Sequence, residues 1–160
     1  MKEIKTKNNR GFINGIILID DNDYEIISKY NWHLNNKGYA ITNIKINNKR
    51  TTKQIHTIIM NTPKGMEVDH IDHNTLNNQR SNLRIVTRSQ NLMNSYKQNR
   101  GSSKYKGVSW RRDINKWQSE IRLNKIDYYL GVFLDEEDAA RAYNEAAIKL
   151  FKEHSCLNEV

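Results

Sequence analysis

The sequence predicts an α+β protein: a mixed N-terminal region leading into a strand–loop–strand–helix motif, then a three-stranded antiparallel sheet packed on one helix. Three observations predict it. Residues 66–71 and 83–86 read as two short strands around a long Asn-rich loop, and Thr87 with Gln90 three positions on gives the capping-box start of a helix. In residues 117–124 the apolar Trp117, Ile121 and Leu123 alternate with Gln118, Glu120, Arg122 and Asn124, and only Ser119 breaks the apolar set, so one face is buried and one open. After Asp135, Ala139, Tyr143, Ala146 and Leu150 fall on one helical stripe, with Ala140, Ala147 and Phe151 beside them.

The remaining elements follow in chain order. Residues 11–19 (GFINGIILI) are an apolar strand candidate, which residues 20–23 turn into a short helix, DYEIISKY. Residues 32–34 and 39–46 read as strands separated by the turn-forming NNKG. KQIHTIIMN, just before Pro63, reads as a short helix whose His56 is a core or positioning residue rather than a ligand. The helix after Thr87 is predicted to run to about Ser95. Residues 95–104 (SYKQNRGSSK) lack apolar periodicity and read as a basic linker. Residues 105–111 and 126–133 supply the outer strands of the last sheet, with Gly131 marking a bend. Asp135 caps the final helix, whose first turn is acidic as the helix dipole favours. The expected divisions are 1–65 as scaffold, 66–96 as the motif, 97–104 as linker and 105–160 as the sheet–helix domain.

Composition narrows the partners. The chain has 160 residues, 37% of them hydrophobic, and a formal charge of +8; its pI is near 9.5 and its mean hydropathy −0.86. Such a balance favours an anionic partner, nucleic acid or an acidic membrane surface. The charge is concentrated: residues 79–125 hold 12 Lys and Arg against Asp113 and Glu120, interleaved with Tyr105, Trp110 and Trp117. Nucleic acid is therefore the leading partner. No apolar run is long enough to span a bilayer and no signal-peptide pattern opens the chain, so the expectation is a soluble, intracellular protein. Cys156 is the only cysteine, which excludes an internal disulfide and a cysteine-cluster zinc site.

The chemistry gathers in VDHIDHNTLNNQRSNLRIVTRSQN, residues 68–91. Asp69 and His70 stand side by side, Asn82 follows twelve residues after His70, and Asn91 nine after that. Strand neighbours point to opposite faces, so Asp69 and His70 share a site only where the following helix packs near the strand end. A carboxylate, the Asn91 amide oxygen, waters and a substrate phosphate form a hard, oxygen-rich set suited to one divalent ion, Mg²⁺ or Mn²⁺, better than to zinc. His70, its tautomer fixed by a partner such as Asn82, would take the proton of an attacking water. Arg84 and Arg88, inside the basic stretch, are assigned to DNA.

This stretch resembles the HNH (ββα-metal) nuclease motif in the form found in small phage and intron-encoded homing endonucleases. The match covers about residues 54–95, includes the upstream His56 segment, and has its most specific part in NLR-VT---N. The resemblance implies a metal-dependent DNA endonuclease in which Asp69 and Asn91 bind the metal, His70 is the general base and Asn82 orients the His70 ring. Such motifs usually read D-H-I-D-G-N. Here His73 replaces the glycine, and a positive φ there would suit His less well than Gly. Residues 1–65 resemble the region that precedes the motif in related phage-type proteins and are read as scaffold.

YKGVSW, KWQSEIR, YYLGVF and DEEDAARAYNEAAIKL, in that order, resemble the Apetala-two/ethylene-response-factor (ERF) type DNA-binding domain over residues 105–158. Domains of this type lay a three-stranded sheet into the major groove with the helix behind. The resemblance implies Arg111, Glu120 and Arg122 on the DNA face, with Lys106, Arg112, Lys116 and Tyr129 at phosphates or the groove wall. Arg111 and Arg122 could read guanine and Glu120 cytosine. Ser109 stands where the family usually carries Arg, so base preference need not follow the plant proteins. Trp117, Ile121, Tyr128 and Leu130 are expected in structural roles.

The resulting expectation is a site-directed endonuclease acting on double-stranded DNA as a monomer, in a bacterial or phage-infected cytoplasm, with the linker along phosphates. Two readings compete with it. One is a non-catalytic DNA-binding protein or regulator with a decayed nuclease motif; the other is a structural zinc module on His70, His73 and Cys156.

Overall fold

KEIKTK turns only Ile4 and Thr6 inward, and this segment forms β1 (Lys2–Lys7), antiparallel to β2 (Ile13–Ile19). β2 was legible in the sequence; β1, whose alternating residues are mostly lysines, was not. The computed structural model describes residues 1–8, 10–97 and 101–160, which divide into two units, Met1–Thr87 and Arg88–Val160.

In the N-terminal unit, β2 leads into a 3₁₀ turn at Asp21–Asp23 and α1 (Tyr24–Ile27), a single turn rather than the eight residues expected. The cause is Trp32, whose indole Nε1 donates to the Ile27 carbonyl at 2.9 Å and takes the acceptor that a longer helix would use. β3 (His33–Leu34), β4 (Ala40–Ile46) and β5 (Lys49–Gln54) form an antiparallel sheet in that order. The Asn35 side chain accepts from the Lys37 and Tyr39 amides and shapes the predicted NNKG turn. β5 was not anticipated. Its KRTTKQ lacks apolar alternation, and its signal lies in the preceding Asn47 and Asn48, both at positive φ, which make the two-residue hairpin turn between Ile46 and Lys49.

α2 (Ile55–Ile59) stops ahead of Pro63, which disfavours helical backbone in the residue before it. β6 (Glu67–His70) and β7 (Leu83–Val86) pair antiparallel, Asp69 opposite Arg84 and His70 opposite Leu83. The core joins Ile17, Ile19, Ile27, Trp32, Ala40, Ile55, Ile59, Val68 and Leu83, so β2, α1, β4 and α2 pack in one cluster with β6 and β7.

In the C-terminal unit, α3 (Arg88–Met93) follows Thr87 directly and ends two residues short of Ser95. β8 (Val108–Arg111), β9 (Lys116–Leu123) and β10 (Ile126–Phe133) form an antiparallel sheet with β9 central. α4 (Glu136–Phe151) is capped by the Asp135 carboxylate, which accepts from the Glu137 amide at 2.6 Å. It buries Ala139, Ala140, Tyr143, Ala147 and Phe151, and the alanines let it approach the sheet closely.

β8 starts three residues later than expected because Gly107 has a φ of +75° and its carbonyl accepts from the Glu120 amide at 2.8 Å. A Cβ at Gly107 would meet the Tyr143 ring and lie 2.6 Å from the Glu120 carbonyl, so only glycine fits. The bend predicted at Gly131 is a β-bulge between Tyr129 and Gly131. Of the predicted linker, residues 98–100 lie outside the described residues. Just after them, Ser103 Oγ and the Lys104 amide both bond Glu136 on α4, and the Ser102 hydroxyl accepts from the Trp110 amide.

Candidate active site

Asp69 and His70 close the β6 strand, and both are buried, at 7% and 5% exposure. The loop between β6 and β7 is wound on its own side chains. Asp72 accepts from the Asn74 amide and from Asn82 Nδ2 through Oδ1, each at 2.8 Å, and from Asn77 Nδ2 through Oδ2 at 2.8 Å. Burial would raise the Asp72 pKa, but the bonds from Asn77, Asn74 and Asn82 outweigh it and hold it below its ordinary value. Asn82 completes the ring: its Oδ1 accepts from the Asp72 amide at 3.0 Å and its Nδ2 also reaches the Asn77 carbonyl at 2.8 Å.

Residues 1–65 supply the outer fastening of this loop. Leu18 pairs with it as a strand would, its amide donating to the Leu76 carbonyl and its carbonyl accepting from the Asn78 amide, both at 2.8 Å. Asp23, buried on the 3₁₀ turn, takes both ends of the Arg80 guanidinium at 2.7 and 2.9 Å, and Asp20 accepts from the Arg80 amide. These bonds fix where the loop lies.

The fastening delivers Asn78 to the His70 ring. His70 Nε2 and Asn78 Oδ1 are 3.2 Å apart, and Asn78 is fully buried. Asn78 Nδ2 donates to the Thr75 carbonyl, so the amide oxygen is the end that faces the ring. Nε2 is thereby the protonated nitrogen and Nδ1 the basic one. The expected partner at this ring was Asn82. The structure corrects that placement, because Asn82 is occupied by Asp72 and Asn77 and closes the loop instead. In a run so rich in asparagine nothing in the sequence separates Asn78 from its neighbours.

His56 stands edge-on to His70, with ring centroids 5.0 Å apart and planes at 87°, and Tyr39 flanks both rings. His56 is 4% exposed, within the core-or-positioning expectation for it. Burial, then the nearby His70, push the His56 pKa down to about 3. Burial also lowers the His70 pKa, outweighing the Asn78 bond and the Asp72 and Asp69 charges that act to raise it. Both rings are thus neutral at pH 7.

Arg84 was expected at DNA. Here it lies opposite Asp69 in the ladder, with Nη2 at 2.7 Å and Nε at 2.8 Å from Asp69 Oδ2. Burying a carboxylate costs heavily unless a cation accompanies it, so this position demands positive charge. The donor chemistry of Asp69, a buried carboxylate at a place built for a cation, fits a hard divalent ion. Asn91 lies on α3, in the C-terminal unit, whereas Asp69, His70 and Asn82 belong to the N-terminal unit. Among the described residues no group of three or more His, Cys, Asp and Glu comes together to hold a metal. His73 has a φ of +61°, the left-handed conformation that the usual glycine adopts more easily.

In the C-terminal unit, the sheet turns Arg111, Lys116, Gln118, Glu120 and Arg122 to the face away from α4, as the alternation predicted, with Tyr129 opposite Glu120. Arg111 forks onto Asp113 and also donates to Gln118, which donates to Glu120. Arg122 lies 3.3 Å from Asp127. Arg88 and Arg112 are exposed. Trp117 packs on the other face, edge-on to Trp110, and Ile121 is buried. Lys106 departs from the expected placement at phosphates. Its ammonium points inward and bonds carbonyls at and just past the end of α3, at Met93 and Ser95 (2.7 Å each) and Leu92 (3.3 Å).

No helix among the described residues is long and apolar enough to cross a membrane. No solved structure matches the chain. An AP2-like ethylene-responsive transcription factor of Arabidopsis thaliana is 48% identical over 52 residues, 31% of this chain and 9% of that protein. Protein 3.8 of Escherichia phage T7 is 36% identical over 59 residues, 37% of this chain and 49% of that protein. An uncharacterized HNH endonuclease of Acanthamoeba polyphaga mimivirus is 35% identical over 139 residues, 86% of this chain and 71% of that protein. Residues 61–93, from the end of α2 through α3, match the HNH endonuclease family. With the β6–loop–β7–α3 order and the extent of the viral match, the chain belongs to the HNH endonuclease family.

Proposed function

We propose that this nuclease is a metal-dependent, site-directed DNA endonuclease of the homing type, acting as a monomer. The observation that carries the reading is the His70 ring: buried, neutral, held at Nε2 by Asn78 and squared against His56, beside a carboxylate. His70 Nδ1 takes the proton of the attacking water, and Nε2 keeps its proton in the bond to Asn78. Asp69 and Asn91 would hold one Mg²⁺ or Mn²⁺, which when bound supplies Lewis acidity at the scissile phosphate and leaving oxygen. Asn82 acts on the loop, keeping Asn78 at the ring.

The C-terminal unit is proposed to read the target as an Apetala-two/ERF type domain does, through the open face of its sheet. Support comes from the four sequence blocks in residues 105–158 and from the three-strand, one-helix order. Arg111, Glu120 and Arg122 would face base edges, and Arg88, Arg112, Lys116 and Tyr129 the backbone.

The test is plasmid cleavage with Mg²⁺ by the full chain and by His70→Ala. Loss of a general base lowers the rate about 10²–10⁴-fold; equal rates would remove His70 from the mechanism. No cleavage by either protein in Mg²⁺ or Mn²⁺, with duplex binding intact, would favour a DNA-binding protein with a decayed nuclease.

A further inference from the structure

α3 has six residues, too few to hold together on its own in water. Its last carbonyls, like those of any helix, lack partners within the helix. Its stability therefore comes from what surrounds it, and within the C-terminal unit the attachments among the described residues include three. Met93 enters the core formed by Ile121, Tyr143, Ala147 and Phe151, and Gln90 Nε2 lies 3.3 Å from His154 Nε2. The third is the Lys106 ammonium, a single atom whose N–H groups converge on the Met93, Ser95 and Leu92 carbonyls.

Lys106 is itself held in place. Its amide donates to Asn158 Oδ1 at 2.7 Å and its carbonyl accepts from Asn158 Nδ2 at 3.1 Å. Asn158 is in turn doubly bonded to Asn144 on α4, at 2.8 and 2.9 Å. A continuous chain of bonds thus runs from α4 through Asn158 and Lys106 to the end of the helix that carries Asn91.

We infer that Lys106 is a positioning residue for the nuclease motif: the sheet–helix unit uses its ammonium to fix the C-terminal end of α3, and so to set where Asn91 is held. This rests on the reading of Asn91 as a metal ligand. The sheet–helix unit then does two jobs, since the part proposed to choose the target also supports part of the cutting machinery. Lys106 does not bind DNA. Its charge meets helix carbonyls, where a cation is favoured, and burial lowers its pKa as expected for an ammonium removed from water.

The experiment uses the full chain with Lys106→Met, which keeps the stem and removes the charge. Hydrogen exchange across residues 88–96 is expected to quicken at least about tenfold, and cleavage at saturating DNA to fall on the order of tenfold. The slope of DNA affinity against salt should stay as in the unmodified chain, whereas a lost phosphate contact lowers it by about one. A slope lower by about one, or unchanged exchange in residues 88–96, or an unchanged rate at saturating DNA, overturns the inference. Should the Met variant fail to fold, Lys106→Arg is measured instead. A planar guanidinium satisfies a phosphate but cannot aim three N–H groups from one atom, so faster exchange with an unchanged slope supports the clamp, and exchange as in the unmodified chain refutes it. Asn91→Ala with full activity would instead refute the metal assignment and leave the exchange result standing.

Discussion

Arg84 and Asp69 face each other across the β6–β7 ladder, with Arg84 Nη2 at 2.7 Å and Nε at 2.8 Å from Asp69 Oδ2. Removing one partner of a buried pair strands the other's charge. Arg84→Ala is therefore expected to destabilise the fold by about 3–5 kcal/mol. The double variant Arg84→Met with Asp69→Asn should recover most of that loss. Urea unfolding of the single and double variants checks it; additive effects would mean that the pair is not coupled.

The His56 ring fixes a pH dependence whose sign follows from burial. Its pKa in the folded chain is about 3, below the ordinary value of 6.5 that it regains on unfolding. The unfolded chain therefore binds the proton more readily, so the contribution is whole above pH 6.5 and is lost as pH falls toward 3. At 1.36 kcal/mol per unit the loss approaches about 5 kcal/mol at the acid end. His56→Phe should flatten the difference in unfolding free energy between pH 7 and pH 4.5; an unchanged difference would refute the assignment.

Asn78 and Asn82 separate by phenotype. Asn78→Ala breaks one side-chain tie within the loop, to the Thr75 carbonyl, and frees the His70 ring, so cleavage at saturating DNA should fall about 10–100-fold, as when an orienting partner is removed, with a smaller loss of melting temperature than Asn82→Ala causes. Asn82→Ala should act first on stability, since it undoes the Asp72 and Asn77 bonds. The same loss of melting temperature in both variants would contradict this division.

Gly107→Ala should destabilise the C-terminal unit by about 1–3 kcal/mol or more, since an added methyl meets Tyr143 and the Glu120 carbonyl at a positive φ. Thermal melting of the full chain decides it.

On the open sheet face, Arg122→Ala should relax base preference at one position, worth about 1–3 kcal/mol. Arg112→Ala should weaken binding evenly across sequences. Selection of bound duplexes from a randomised pool distinguishes them, and identical profiles would argue against the sheet as the reader.

Much of the C-terminal unit was legible because its signals are local. The alternation in β9 and the alanine stripe of α4 depend on residues a few positions apart, and both formed within a residue or two of their predicted bounds. Where sequence reading fell short, the deciding partner was distant in the chain or looked like its neighbours. Trp32 ends α1 from five residues away, and two asparagines at positive φ, not an apolar pattern, announce β5. Asp69, His70, Asn82 and Asn91 were recognisable by type and spacing. The bond to the ring was not, because Asn78 earns its place through Leu18 and Thr75 rather than through anything at its own position. Lys106 looked like one more basic residue in a basic stretch until its carbonyl partners were seen.

The pairing of Leu18 with the Asn-rich loop bears on how the protein is made. A ribosome releases β2 well before the loop, so the strand is waiting when residues 74–80 emerge. The loop then has a template to fold against, and the Asp23–Arg80 fork can close as soon as Arg80 is clear. A chain synthesised in this direction organises its catalytic loop before α3 or the final sheet exists. A circular permutant that moves residues 1–23 to the C-terminus would have to hold the loop unordered until synthesis ends, and should leave the loop open to protease on the ribosome while reaching the same fold after release.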